Sequence, residues 1–150
     1  MIKLINFLPN ILAPLLFFTL DLTALSLAHT PTLHTLAVFT LVFFLQSSFS
    51  PLLLLCFLLL TVFSCLSTGV AFPYFGLILG ILLLAKAASF YTGQRLLLCT
   101  AAVLVLTFAS LKILGTPLSV SCTMFSITGN LIALYFSLKW FSAVKRGNRS

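Results

Sequence analysis

The chain has 150 residues, of which 61% are hydrophobic and 6% charged, with one acidic residue against eight basic ones and a net charge of +7. Too few polar groups are present to surface an aqueous globule, disorder requires the opposite bias, and the basic residues form no dense stripe of the kind that binds nucleic acid. With a mean hydropathy of +1.27, the expected solvent is lipid and the expected fold class all-α: a polytopic membrane helix bundle of about six transmembrane helices. Runs such as Leu52-Leu53-Leu54-Leu55 lack the alternation of barrel strands.

Crossing a hydrocarbon core takes about 20 apolar helical residues, so polar, proline and glycine breaks divide the chain. The first span, about 8–28, has no short apolar core with a small-residue cleavage site and reads as a retained helix rather than a signal peptide. His29-Thr30-Pro31-Thr32 closes it. A second, short span over 33–49 ends at Gln46-Ser47-Ser48-Phe49-Ser50-Pro51, and a third over 51–66 ends at Ser67-Thr68-Gly69. The fourth, over 71–88, carries Pro73 where a first-turn proline is tolerated. No charge separates the third and fourth, so that pair also fits a re-entrant hairpin. The polar stretch 86–95 precedes a fifth span over 95–111, and residues 112–117 precede a sixth over 118–140, leaving 141–150 as a basic tail.

Six spans put both termini on one side together with Lys3, Lys86, Arg95, Lys139, Lys145, Arg146 and Arg149, and leave Lys112 alone on the other. The positive-inside rule makes the crowded side cytoplasmic, and an even span number is what the bias supports. Tyr91, Trp140 and Phe141 fall near those cytoplasmic ends, where aromatic rings favour the interface. The expected location is the cell inner membrane.

Asp21 is the single carboxylate. It sits roughly 20 Å along the first helix, in the outer half, where an ionisable group is a functional candidate by default. A neutral acid bonded to a neighbouring helix is the commoner outcome, a proton-relay or transport role the rarer one. Lys112 is the one opposite charge expected on that side, and the two are expected to meet near the outer face. His29 and His34 read as exposed loop residues, because no further ligand stands near them for a metal. Cys56, Cys65, Cys99 and Cys122 read as small apolar residues facing neighbouring helices.

The first half of the sixth span, 119–130, is small and polar and is expected to face the bundle interior or a partner helix, with Asn130 its strongest hydrogen-bonding group. Gly76-x-x-x-Gly80 has the spacing that lets helix backbones approach, and packing within the same chain is the favoured use. Lys145, Arg146 and Arg149 fix topology and suit anionic lipid heads. No nucleophile elbow, zinc-binding helix, phosphate loop or carboxylate pair occurs, and one acid gives general acid–base catalysis almost nothing to work with. The expectation is a non-enzyme without cofactor or metal.

The run from Phe57 through Thr61, Ser64, Cys65, Ser67 and Thr68 to Gly69, followed by Pro73, Gly76 and Gly80, is a middle helix ending in a small-residue turn before another span. In this layout the chain resembles the bacterial rod-shape-determining MreD family, which commonly has an acidic residue where Ser64 stands here. The resemblance implies a non-catalytic membrane scaffold of the cell-elongation machinery, with MreC-like and peptidoglycan-synthesis proteins as partners. The family is similar in fold to the substrate-binding subunits of vitamin transporters, which gives the alternative: a membrane subunit binding a small molecule in an outer-facing pocket lined by 119–130 and Asp21.

Overall fold

A computed structural model describes residues 2–28, 32–46, 51–66, 71–91, 93–113 and 119–147. They form six helices, α1 (Ile2–Ala28), α2 (Thr35–Gln46), α3 (Pro51–Leu66), α4 (Ala71–Tyr91), α5 (Arg95–Ile113) and α6 (Val120–Gly147), and no strand occurs among the described residues. Local chemistry sets several boundaries. Pro51 opens α3 and Pro73 lies in the first turn of α4, positions where a missing N–H has no helical partner to lose. Ser119 caps α6, its hydroxyl oxygen accepting from Cys122 N at 3.2 Å. Helix α6 runs on through residues 141–147, so this part of the expected tail is helical. Inside the helices, Thr40, Ser64, Thr107 and Ser137 donate to the carbonyl four residues back, which satisfies each hydroxyl locally.

Four helices are long and apolar enough to cross a membrane, over Asn10–Leu27, Pro73–Tyr91, Arg95–Ile113 and Val120–Val144, whereas α2 and α3 are shorter. Helix α2 is the exception in placement as well as length. It touches all five others, which form an arc around it in the order α1, α3, α4, α5, α6. The arc does not close: α6 and α1 both pack on α2 but stand apart from each other. Nine of the 12 residues of α2 are buried, including Leu36, Val38, Phe39 and Leu41. A helix apolar on every side has no face to turn outward, and the centre of a bundle is where it belongs. The outer surface carries Leu16, Leu58, Leu83, Phe108 and Phe136, all at least half exposed, as lipid contact requires.

Two expectations about small residues are corrected. A Cβ at Gly76 or Gly80 would meet nothing within 4 Å, so this spacing does not serve a close approach within the chain; both glycines lie on the outward side of α4. The tight contact is instead at Gly129, where a Cβ would run into Cδ2 at the far end of the Leu33 side chain. Of the cysteines, all free, Cys56 and Cys99 are buried and Cys122 is half-buried, but Cys65 is exposed on α3 rather than turned to a neighbour. Substituting Gly76→Leu or Gly80→Leu is expected to change unfolding stability by less than about 0.5 kcal/mol. Gly129→Leu is expected to cost ~1–3 kcal/mol through overpacking, measured by reversible unfolding in detergent micelles.

Candidate functional site

At a rise of about 1.5 Å per residue, α2 is roughly 18 Å long, against a hydrocarbon core of about 30 Å. Both its ends therefore fall short of water if it lies inside the bundle, and the N–H groups of its first turn and carbonyls of its last turn need partners from the protein. Side chains of the surrounding helices supply them.

At the N-terminal end the partner is Asp21 of α1. Its Oδ1 accepts from Thr35 N at 2.8 Å and from the Thr35 hydroxyl at 2.7 Å, and its Oδ2 accepts from Leu36 N at 3.0 Å. The residue is 2% exposed. A carboxylate at this position meets both unpaired N–H groups and the positive end of the α2 dipole. One residue earlier, His34 N donates to Asn130 Oδ1 at 3.0 Å, and Asn130 Nδ2 donates to the Thr107 hydroxyl at 3.0 Å, which ties α6 and α5 to the same point. The Ser126 hydroxyl donates to the Thr32 carbonyl. Tyr74 of α4 places its hydroxyl 2.7 Å from His34 Nδ1. Four helices, α1, α4, α5 and α6, thus converge on the entry to α2 through hydrogen bonds.

At the other end, Lys86 of α4 donates to the Phe44 carbonyl at 3.1 Å and stands 5.4 Å from the Phe44 ring centre. Phe44 lies in the last turn of α2, so this carbonyl has no helical N–H to accept, and a cation suits the negative end of the dipole. Asp21 and Lys86, expected respectively as a functional candidate and a topology charge, are the two caps of one buried helix.

The structure does not bring Asp21 and Lys112 together. Both Asp21 oxygens are engaged by α2, and Lys112 is exposed at the end of α5. His34 is fully buried, not an exposed loop residue, because the chain turns inward before α2 instead of staying at the surface. Asn130 and Ser126 face the interior as expected, whereas Ser119, Ser121 and Thr128 are exposed: a helix presents only every third or fourth residue to one side. His29, the turn at residues 67–69 and Arg149 lie outside the described residues, and Lys145 and Arg146 are placed only as positions on α6.

Sequence reasoning missed Thr35, Tyr74 and the cap role of Lys86. One signal was present: an apolar run as short as α2 reads more readily as a buried core helix than as a span. Two buried atoms, Thr32 Oγ1 and His34 Nε2, have no hydrogen-bond partner. Among the described residues no three His, Cys, Asp or Glu side chains gather as a metal would require. Comparison with known proteins finds no matching family model, curated protein or solved structure.

Asp21→Ala leaves the buried N–H groups of Thr35 and Leu36 unpaired, while the Thr35 hydroxyl keeps the Phe17 carbonyl, so it is expected to lower stability by ~2–4 kcal/mol. Lys112→Gln is expected to stay within about 0.5 kcal/mol of the parent, and the two effects should add. Unfolding of the two single variants and the double variant in a reconstituted bilayer measures all three. Asn130→Ala, which leaves His34 N without an acceptor while the Thr107 hydroxyl keeps the Val103 carbonyl, should cost ~1–3 kcal/mol in the same assay.

Proposed function

We propose that the chain is a multi-pass protein of the cell inner membrane, with six helices in the bilayer and both termini cytoplasmic, acting as a non-catalytic scaffold component of the bacterial cell-elongation machinery. The observation that supports this reading is the use made of the interior charges. Asp21 and Lys86 are spent on the ends of α2. In transporters, broken or short helices leave their ends open to coordinate substrate or ions near the bilayer midplane. Here the protein's own side chains occupy those positions, and what remains for interaction is a set of apolar helix faces, including the outward Gly76 and Gly80 side of α4. A scaffold works through such faces. The choice of the elongation machinery, with MreC-like and peptidoglycan-synthesis partners, rests on the resemblance to the MreD family.

A second reading, a substrate-binding subunit of a vitamin-type transporter, is favoured by Thr32 Oγ1 and His34 Nε2, buried polar atoms a bound small molecule would satisfy. Photo-crosslinking from the outward face of α4 in native membranes, combined with depletion of the protein, tests the choice. The scaffold reading expects capture of elongation proteins and loss of rod shape. Capture of an energising subunit, together with a small molecule retained through purification and normal cell shape, would overturn it.

A further inference from the structure

Residues 32–34 lead into α2 as a segment laid against α6. His34 is the capping position of α2: its carbonyl accepts from Val38 N at 3.1 Å, and a residue at that position has extended rather than helical backbone. The Thr32 carbonyl accepts from the Ser126 hydroxyl, and His34 N donates to Asn130 Oδ1. Ser126 and Asn130 are about one turn apart, roughly 6 Å along α6, and two residues of extended chain cover about 6.6 Å. The match requires an extended segment between the two bonds, and side chains of an extended segment alternate in direction. Leu33 lines an apolar cavity of about 630 Å³ shared by α1 and α6. Thr32 and His34, 4% and 0% exposed, turn the other way, where Tyr74 meets His34.

The neighbours of the His34 ring fix where its proton sits. Tyr74 has its hydroxyl 2.7 Å from Nδ1 and no other hydrogen-bond partner among the described residues. Donating to Nδ1 satisfies that hydroxyl, whereas the reverse arrangement strands its proton in the interior. The ring is neutral, because the one carboxylate is already taken by three donors of α2 and an unpaired buried charge is costly. With Nδ1 accepting, a neutral ring carries its proton on Nε2. His34 Nε2–H and the Thr32 hydroxyl are then two buried donors without acceptors, two residues apart on one side of one segment.

Two such donors define what they lack. A cation is excluded by the proton on Nε2, and an anion would stand close to Asp21, which is bonded to the next residue, Thr35. A neutral oxygen with two lone pairs meets both donors at once. We infer that Thr32 and His34 form a binding site for one neutral acceptor oxygen, held between His34 Nε2–H and the Thr32 hydroxyl and supplied either by an internal water or by a carbonyl or hydroxyl group of a small molecule. Water there leaves the scaffold role untouched, and a retained small molecule belongs to the transporter reading; the site itself depends on neither.

Nuclear magnetic resonance of the purified protein in bilayer nanodiscs, with the histidine rings labelled with nitrogen-15, tests the site. His29→Gln assigns the two rings. His34 should be neutral with its proton on Nε2, and that proton should resonate where a hydrogen-bonded ring N–H does. Thr32→Val, which keeps the shape and removes the hydroxyl, should move that resonance and speed exchange of the proton roughly fivefold, the equivalent of one hydrogen bond. A through-space contact from Nε2–H to the water signal identifies water as the source. Loss of the bonded resonance after exhaustive detergent washing, with a small molecule in the extract, identifies a ligand. A proton on Nδ1, a free Nε2–H, or a resonance unchanged by Thr32→Val would each overturn the inference. Capture of elongation proteins bears on none of these results.

Discussion

A helix that begins and ends inside a low-dielectric interior has polar backbone groups at both ends that water cannot reach. In this protein that constraint falls on α2, shorter than a membrane crossing and in contact with all five other helices. An unpaired N–H or carbonyl in such surroundings costs several kcal/mol. The chain answers with its one carboxylate at the start of α2 and a lysine at its last turn, and the order of the helices around α2 follows. Asp21 fixes α1 against the N-terminal end, Lys86 fixes α4 against the C-terminal end, and Asn130 bonds to His34 and Thr107, bringing in α6 and α5. Directional bonds do this work because leucine-rich helices have little preference for one another over lipid tails.

The same constraint explains the poverty of chemistry in the chain. Each interior charge is held by backbone, and the hydroxyls along the helices mostly bond to their own carbonyls. A site that moves protons or ions needs groups with a choice of partners, and Asp21, with three donors converging on it, is poorly placed to be one. What the fold leaves unfinished is apolar: the outward face of α4 and the opening between α1 and α6. The proposed scaffold reading draws on these apolar surfaces.

Much of the architecture could be read along the chain, and the reason is punctuation. Pro51, Pro73 and the Gly93-Gln94 turn stand at helix starts or breaks, and in a sequence so uniformly apolar nothing competes with them. The helical class and the six helices followed from that. Two interior residues of α6, Ser126 and Asn130, were legible too, because they have no use on a lipid face, whereas Ser119, Ser121 and Thr128 around them turn outward. The partners were not legible. Hydropathy treats each helix as a span of equal standing, so it hides that α2 is the hub, and without the hub Asp21 appears to need a cation. Lys112 was the only one in view, whereas the groups that hold Asp21 are backbone N–H donors, which every sequence contains and none advertises. His34 and Gly76 went wrong for a related cause: their burial depends on which helices neighbour them, and contacts between distant segments, such as His34 with Tyr74 and Asn130, leave no periodic trace.

The central claim is that the Asp21 carboxylate caps α2 away from water. Hydrogen–deuterium exchange of the Thr35 and Leu36 amides in bilayer nanodiscs, followed residue by residue, addresses it directly. If the account is right, both amides exchange as slowly as Val38 and Phe39 in the middle of the helix and become fast when Asp21 is replaced by alanine. Rapid exchange at Thr35 and Leu36 in the unaltered protein would contradict it.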